Sequence, residues 1–299
     1  MRMPKLSIIT PFDPWRSSLC TCPIKWVVHP YTGCSYGCLY CYAASYIPRY
    51  YMVRVKEKLI KKLKRDVPKI PKGALIEMSS SSDPYPPIEA QLNLTRYTLH
   101  ELLNHGFKVL IVTKSTLILR DIDVLTKFRD HVVASITITT LKQSIALNLE
   151  PNAPTPSERL KVIEMLSRSK VKIVARVDPI VPLINDDFDC LRNLVKELSK
   201  RGVIQITSST YKAKGASLRR LASAFPNVSK KLIELYDRNN TENVHGYRYL
   251  NRNLRYHYMK VLKELAEEEG LVFETCREGF PNLNTPGFAC DGSSNIYLE

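Results

Sequence analysis

The chain has 299 residues, enough to bury a large core, and its 44% hydrophobic and 24% charged content is that of a globular protein. No apolar run reaches about 18 residues, which argues against a membrane-spanning helix. Lys and Arg number 44 against 29 Asp and Glu, and the net charge of +15 favours polyanionic partners, nucleic acid first, because neutralising phosphates releases counterions.

Met1-Arg2-Met3-Pro4-Lys5 is followed by no apolar signal core, so a cytoplasmic location is expected. In chain order the sequence predicts a strand at 25–29, a helix near 52–65, a strand at 74–79 and a helix near 95–105. A strand at 108–113, a helix near 121–128, a strand at 132–139 and a helix over 156–168 follow. The chain continues with a strand at 171–177, a helix over 187–200, a strand at 203–207, helices near 217–237 and 250–269, and a last strand at 271–275. Most of the strands are continuously apolar, the mark of a parallel sheet covered on both faces. Thr155-Pro156-Ser157-Glu158 reads as a helix start, with Thr155 as N-cap, Pro156 in the first turn and Glu158 three residues on. Such alternation, with right-handed crossovers, predicts an α/β barrel, closed or partly open. One domain is expected, with a core at about 24–210 and a helical C-terminal extension at about 211–299. The segment 211–256 and its continuation interleave cations and aromatics (Tyr247, Arg248, Tyr249, Arg252, Arg255, Tyr256, His257, Tyr258). This suits either phosphates and stacked bases or a solvated helix with snorkelling side chains.

Eight cysteines in a chain without a secretory signal point to metal or catalysis before disulfides. Cys190 sits in a helical pattern and is expected in the core. Cys34, Cys38 and Cys41 form CxxxCxxC within Gly33-Cys34-Ser35-Tyr36-Gly37-Cys38-Leu39-Tyr40-Cys41-Tyr42, just after the first strand. Three thiolates on one short loop can ligate three irons of a [4Fe–4S] cube and leave the fourth iron open for substrate. Gly33 and Gly37 permit the turns that wrap such a loop. The competing reading is a zinc knuckle or buried thiols, but zinc ordinarily takes four ligands, often in CxxC pairs.

This loop, with Tyr40 as the aromatic before the last cysteine, resembles the signature of the radical S-adenosylmethionine (SAM) superfamily. The resemblance implies a partial (β/α)6 barrel holding a [4Fe–4S] cluster whose open iron is chelated by the SAM amino and carboxylate groups. It also implies reductive cleavage of SAM to a 5′-deoxyadenosyl radical, with an electron donor such as ferredoxin or flavodoxin. A narrower resemblance is to the spore photoproduct lyase-related family. It is carried by His29-Pro30-Tyr31-Thr32-Gly33-Cys34, Cys38-Leu39-Tyr40-Cys41-Tyr42-Ala43, 79–84 with Tyr85, Thr113-Lys114-Ser115, Leu149-Glu150-Pro151 and Cys276-Arg277-Glu278. These matches span about residues 20 to 291.

From the family pattern, Ser80, Ser81, Ser82 and Asp83 are expected near the SAM amine, Lys114 near its carboxylate, and Ser135 or Thr137 near the ribose. The bland readings are a turn at 80–84 and a solvated Lys114. Tyr42 matches a tyrosine of a radical relay, or simply packs. The hydrogen-donor cysteine of the lyase is matched here by Ser80, a poor hydrogen-atom donor, which argues against spore photoproduct repair itself. His29 is expected to pack at the strand end. Arg277 and Glu278 are expected to orient substrate or SAM, or to be exposed rim charges.

Cys20, Cys22, Cys276 and Cys290 are the right number for a second metal site, zinc or iron–sulfur, if the chain ends approach each other. Separate buried thiols or a disulfide are the alternatives. Cys276 is also placed to be a hydrogen donor. Three functions fit the sequence: a radical SAM enzyme acting on DNA or RNA, the same chemistry on a protein or small molecule, and a non-catalytic iron–sulfur or zinc nucleic-acid-binding module.

Overall fold

Apolar segments flanked by amphipathic helices predict a parallel sheet, and here the helices pack on one face while the other, expected to be covered as well, lines a cavity. The computed structural model shows this arrangement and describes residues 6–12 and 19–297, so the N-terminal pentapeptide lies outside the described residues. The first half of the chain runs β1 (Ile9–Pro11), β2 (Trp26–Val28), β3 (Tyr31–Thr32), β4 (Arg54–Val55), α1 (Leu59–Asp66), β5 (Leu75–Met78), α2 (Glu89–Leu92), α3 (Leu94–Asn104), β6 (Lys108–Thr113), α4 (Ile122–Lys127) and β7 (Val132–Thr137). It continues with α5 (Gln143–Leu149), α6 (Pro156–Arg168), β8 (Lys172–Ile180), α7 (Phe188–Lys200), β9 (Gln205–Thr210), α8 (Ser217–Ala224), α9 (Ser229–Leu235), β10 (Glu242–Val244), β11 (Tyr247–Tyr249), α10 (Arg252–Glu268) and β12 (Val272–Thr275).

Eight strands form one sheet in the order β1-β2-β5-β6-β7-β8-β9-β12. Only β1 is antiparallel to its neighbour, and the six strands β2 and β5–β9 make the expected partial barrel. β12 adds a seventh parallel strand beside β9 from within the segment 211–299. One sheet face packs Ile76, Ile111, Ala134, Ile173 and Phe273 against the helices. The other face is concave and mostly polar above an apolar floor of Leu75, Leu110, Val133 and Val174, which Ile296 of the C-terminal tail plugs. Gly292 lets the tail enter: at φ +85° a Cβ there would lie 2.4 Å from a Val174 methyl.

The start of α6 is as the sequence predicts, with Thr155 and Glu158 closing a capping box around Pro156. Four expectations are corrected. The helix near 52–65 begins only at Leu59, because Arg54–Val55 pairs with Tyr31–Thr32. The helix near 217–237 breaks at Pro226, whose ring and missing N–H cannot continue it. The Tyr247 region is a hairpin, turned by His245 and Gly246 at φ 51° and 77°. Cys190 is half-exposed in the first turn of α7, where its N–H donates to the N-cap Asp187 at 2.9 Å, and is not a core residue.

Candidate active site

Side chains at the C-terminal ends of parallel strands converge, and here they enclose a cavity of about 500 Å³, within the range that holds a cofactor-sized molecule. Cys34, Cys38 and Cys41 all line it, with Tyr40 and Tyr42 from the same loop. The loop is fixed by backbone geometry. Gly33 has φ +85°, and a Cβ there would meet the Tyr50 and Met52 carbonyl oxygens at 2.5 and 2.6 Å. The Cys34 N–H donates to the Tyr50 carbonyl at 2.8 Å, the Leu39 N–H to the Leu149 carbonyl at 2.9 Å, and Arg220 to the Leu39 and Cys41 carbonyls at 3.2 Å each. Burial pushes the Cys34 thiol up to about 12 and raises Cys38 as well. The Cys41 sulfur is 3.3 Å from the Tyr50 hydroxyl.

After β5, Ser80, Ser81, Ser82 and Asp83 line the cavity. Ser80 and Ser82 flank the two ring nitrogens of His29 at 3.4 Å each. Burial, with Lys56 nearby, pushes His29 down to about 4, so the ring is neutral near neutrality. Asp83 is spent largely on architecture. One oxygen accepts from the Tyr85 N–H at 2.9 Å and the Thr113 hydroxyl at 2.7 Å, and the other from the Lys114 N–H at 2.9 Å. About one of its four lone-pair sites is left for a ligand.

Lys114 ends β6 in the cavity wall, its Nζ 4.0 Å from Glu150 Oε1 and 5.7 Å from the Tyr40 ring centre. Burial works against its charge, but Cys38 and Glu150 outweigh that and hold its pKa above the usual value. Glu150 also accepts from the Tyr40 hydroxyl and lies 2.5 Å from Arg159 Nη2. Thr137 lines the cavity; Ser135, one step deeper on β7, is fully buried, does not line it, and has a hydroxyl with no hydrogen-bond partner among the described residues.

The segment before β2 and the segment following β12 bring four more cysteines to this wall. Cys20, Cys22 and Cys276 line the cavity, and Cys290 lies behind, its sulfur 3.4 Å from that of Cys22. Hydrogen bonds from Cys20 and Cys290 hold Cys22 well below the usual thiol value. Arg277, in the cavity wall, lies 5.5 and 5.0 Å from the Tyr42 and Tyr247 ring centres.

Two rim readings are corrected. Glu278 is fully buried and accepts from the Thr210 N–H at 2.8 Å, from Lys212 at 2.8 Å and from Arg255 at 3.0 Å, so it is structural. Tyr247, Tyr249 and Arg255 are buried as well, because the hairpin and α10 fold them inward, and they offer no stacking surface. Sequence reading missed the roles of Glu150 and Arg159, and also Arg176, which pairs with Asp178 at 2.6 Å inside the cavity. It missed Lys25 too, which bridges Glu77 at 2.7 Å and Asp291 at 2.5 Å. A lone charged residue inside an apolar strand was the available signal, because such a charge needs a partner.

The Radical SAM superfamily domain matches residues 28–198, which takes in the cluster loop and the four barrel strands β5–β8. The chain belongs to the radical SAM superfamily. The uncharacterized protein ORF301 of Acidianus two-tailed virus is 31% identical over 216 residues, 66% of this chain and 71% of that one. The uncharacterized protein MJ0683 of Methanocaldococcus jannaschii is 35% identical over 169 residues, 54% of this chain and 62% of that one. A mutant spore photoproduct lyase with bound AdoMet and dinucleoside spore photoproduct shares the fold, with TM-score 0.63 and 15% identity over 88% of this chain and 79% of that one.

Radical SAM membership implies a [4Fe–4S] cluster and SAM, and the residues fit both. Among the described residues no three His, Cys, Asp or Glu side chains surround a point as a single metal ion requires. Three thiols of one loop that share a cavity wall without enclosing one ion suit separate irons of a cube. The serines, the remaining Asp83 acceptor and Lys114 offer complementary groups to an amino acid moiety.

Proposed function

We propose that this radical SAM protein cleaves SAM reductively at a cluster on Cys34, Cys38 and Cys41 and modifies or repairs a nucleic acid. The observation that carries the reading is one cavity holding the three thiols, the serines after β5, Lys114 and Thr137 at the ends of successive parallel strands. When bound, cluster and cofactor together supply a carbon-centred radical able to take a hydrogen atom from an inert C–H bond.

The chain's own residues bind, orient and shield. Lys114, kept charged by Glu150, would pair with the cofactor carboxylate; Ser80–Ser82 and Asp83 would accept from its ammonium; Thr137 would offer its hydroxyl to the ribose. His29, neutral between Ser80 and Ser82, accepts from one hydroxyl and fixes its direction. The buried walls exclude water that would quench the reaction.

Charge supports the nucleic-acid substrate: the chain carries +15, and Arg277 stands in the cavity wall braced against Tyr42 and Tyr247. The test is anaerobic reconstitution, reduction and assay of 5′-deoxyadenosine, alone and with DNA or RNA. Expected are formation that Cys34→Ala, Cys38→Ala and Cys41→Ala each abolish, stimulation by one nucleic acid, and binding that weakens steeply with salt. No 5′-deoxyadenosine from iron-loaded protein overturns the radical reading. Cleavage indifferent to both nucleic acids, with no salt-dependent binding, overturns the substrate.

A further inference from the structure

A cavity of about 500 Å³ admits a small molecule and excludes a protein. An electron that enters by way of another protein therefore has to reach the cluster loop from outside the cavity, and the fold offers such an approach. Tyr50 packs in one buried group with Cys34 and Cys38, and its hydroxyl is 3.3 Å from the Cys41 sulfur. The next ring outward is Tyr51, edge-on to Tyr50 with ring centres 5.5 Å apart, and it is 43% exposed. Met52 and Val55 are exposed as well, and none of residues 51–65 lines the cavity.

These apolar side chains are set among cations. Residues 49–65 hold eight Lys and Arg against one acid, Glu57, so this short stretch carries +7 of the chain's +15. Arg54 folds back over the turn that precedes β4, its Nη1 donating to the Arg49 carbonyl at 3.0 Å. Lys58 and Lys62 continue the strip one helical turn apart at the start of α1, where the Lys62 N–H donates to the Lys58 carbonyl at 2.9 Å. Among the described residues none of Arg49, Arg54, Lys58 and Lys62 is in an ion pair with a carboxylate.

We propose that this face docks an acidic one-electron carrier protein, which delivers its electron to the cluster loop from behind Tyr50. The proposal rests on the radical SAM reading above and adds the partner and its place. The transfer is of a single electron: the carrier is oxidised by one, the cluster on Cys34, Cys38 and Cys41 is reduced by one, and no covalent bond forms or breaks. Tyr, Met and Arg are the side chains enriched in protein interfaces, whereas a phosphate backbone gains nothing from Met52 and Val55. A nucleic acid held here would not thereby seat a nucleotide in the cavity, since none of these exposed residues lines it. Redox encounters are small, and opposite charge steers them, which an isolated basic strip around an apolar centre is suited to do.

The test uses the anaerobically reconstituted full chain, with flavodoxin hydroquinone as the acidic carrier and reduced methyl viologen, a small cation, as the control. Oxidation of the hydroquinone to the semiquinone is one electron and is followed by the flavin's own absorbance. At low salt Lys58→Glu/Lys62→Glu should slow this transfer at least about tenfold and leave reduction by methyl viologen unchanged. The difference should close toward about 1 M salt, where charges are screened within about 3 Å. Both positions lie where the helix dipole favours carboxylates, so the variant keeps its fold. Met52→Ala, which leaves the charge intact, should raise the dissociation constant for oxidised flavodoxin about fivefold, read by calorimetry. Equal flavodoxin rates in wild type and the double variant overturn the proposal. So does a double variant that loses DNA or RNA binding but keeps flavodoxin binding, which would make the strip a nucleic-acid surface. A wild-type chain that methyl viologen itself cannot reduce overturns the cluster reading, and the proposal with it.

Discussion

Arg159 Nη2 lies 2.5 Å from Glu150 Oε2, and both side chains are buried. Arg159 spends its other nitrogens on the Pro154 and Thr137 carbonyls at 2.7 and 2.9 Å, so it ties α6 to the end of β7 and to the carboxylate that faces Lys114. Removing one member of a buried pair strands the other. Arg159→Leu should lower the unfolding free energy of the metal-free chain by about 3–5 kcal/mol in urea titration. A loss below about 1 kcal/mol would show that Glu150 finds adequate compensation elsewhere.

Gly33 and Gly73 offer a matched comparison. Both have positive φ, +85° and +71°, but a Cβ at Gly73 meets nothing within 4 Å, whereas at Gly33 it strikes two backbone oxygens. Gly73→Ala should cost only the backbone strain, about 1 kcal/mol. Gly33→Ala should cost more and should also reduce the iron taken up on reconstitution, because Cys34 is the next residue. Equal melting temperatures and equal iron content in the two variants would contradict the close approach.

His29 gives the native state a pH dependence with a definite sign. Its native pKa is pushed down to about 4 from 6.5, so between those values the unfolded chain binds a proton that the folded chain does not. Its contribution to stability is fully present above about pH 6.5 and is lost as the pH falls through about 4. Urea midpoints measured at pH 7 and pH 5 should therefore drop in the wild type and drop less in His29→Asn. Parallel drops in the two proteins would place the titration elsewhere.

Arg277 is the guanidinium of the cavity wall whose position is set by two rings. If it meets a phosphate, Arg277→Ala should weaken nucleic-acid binding uniformly across sequences and reduce the log–log salt slope by about 1. An unchanged slope would remove it from the interface.

The architecture was legible because its signals are local. Continuous apolar runs such as 108–113 mark parallel strands, and the capping box at Thr155 marks the start of α6. The cluster loop was legible because three ligands and two turn glycines lie within nine residues, Gly33 to Cys41. What escaped depends on distant partners. Nothing near Glu150 announces Arg159 or Lys114, and nothing near Lys25 announces Asp291. The Tyr/Arg run around 247–258 reads as a surface in one dimension. In three, the hairpin turns Tyr247 and Tyr249 inward, and the need to neutralise Glu278 draws Arg255 into the interior.

The tail that plugs the N-terminal end of the sheet with Ile296 has a kinetic corollary. Molecules that reach the Cys34 side of the cavity come past the rim formed by the strand C-termini. A bulky substrate seated across that rim therefore traps whatever arrived earlier. If the proposed nucleic acid seats there, loading is ordered, small cofactor before large substrate, and departure runs in reverse.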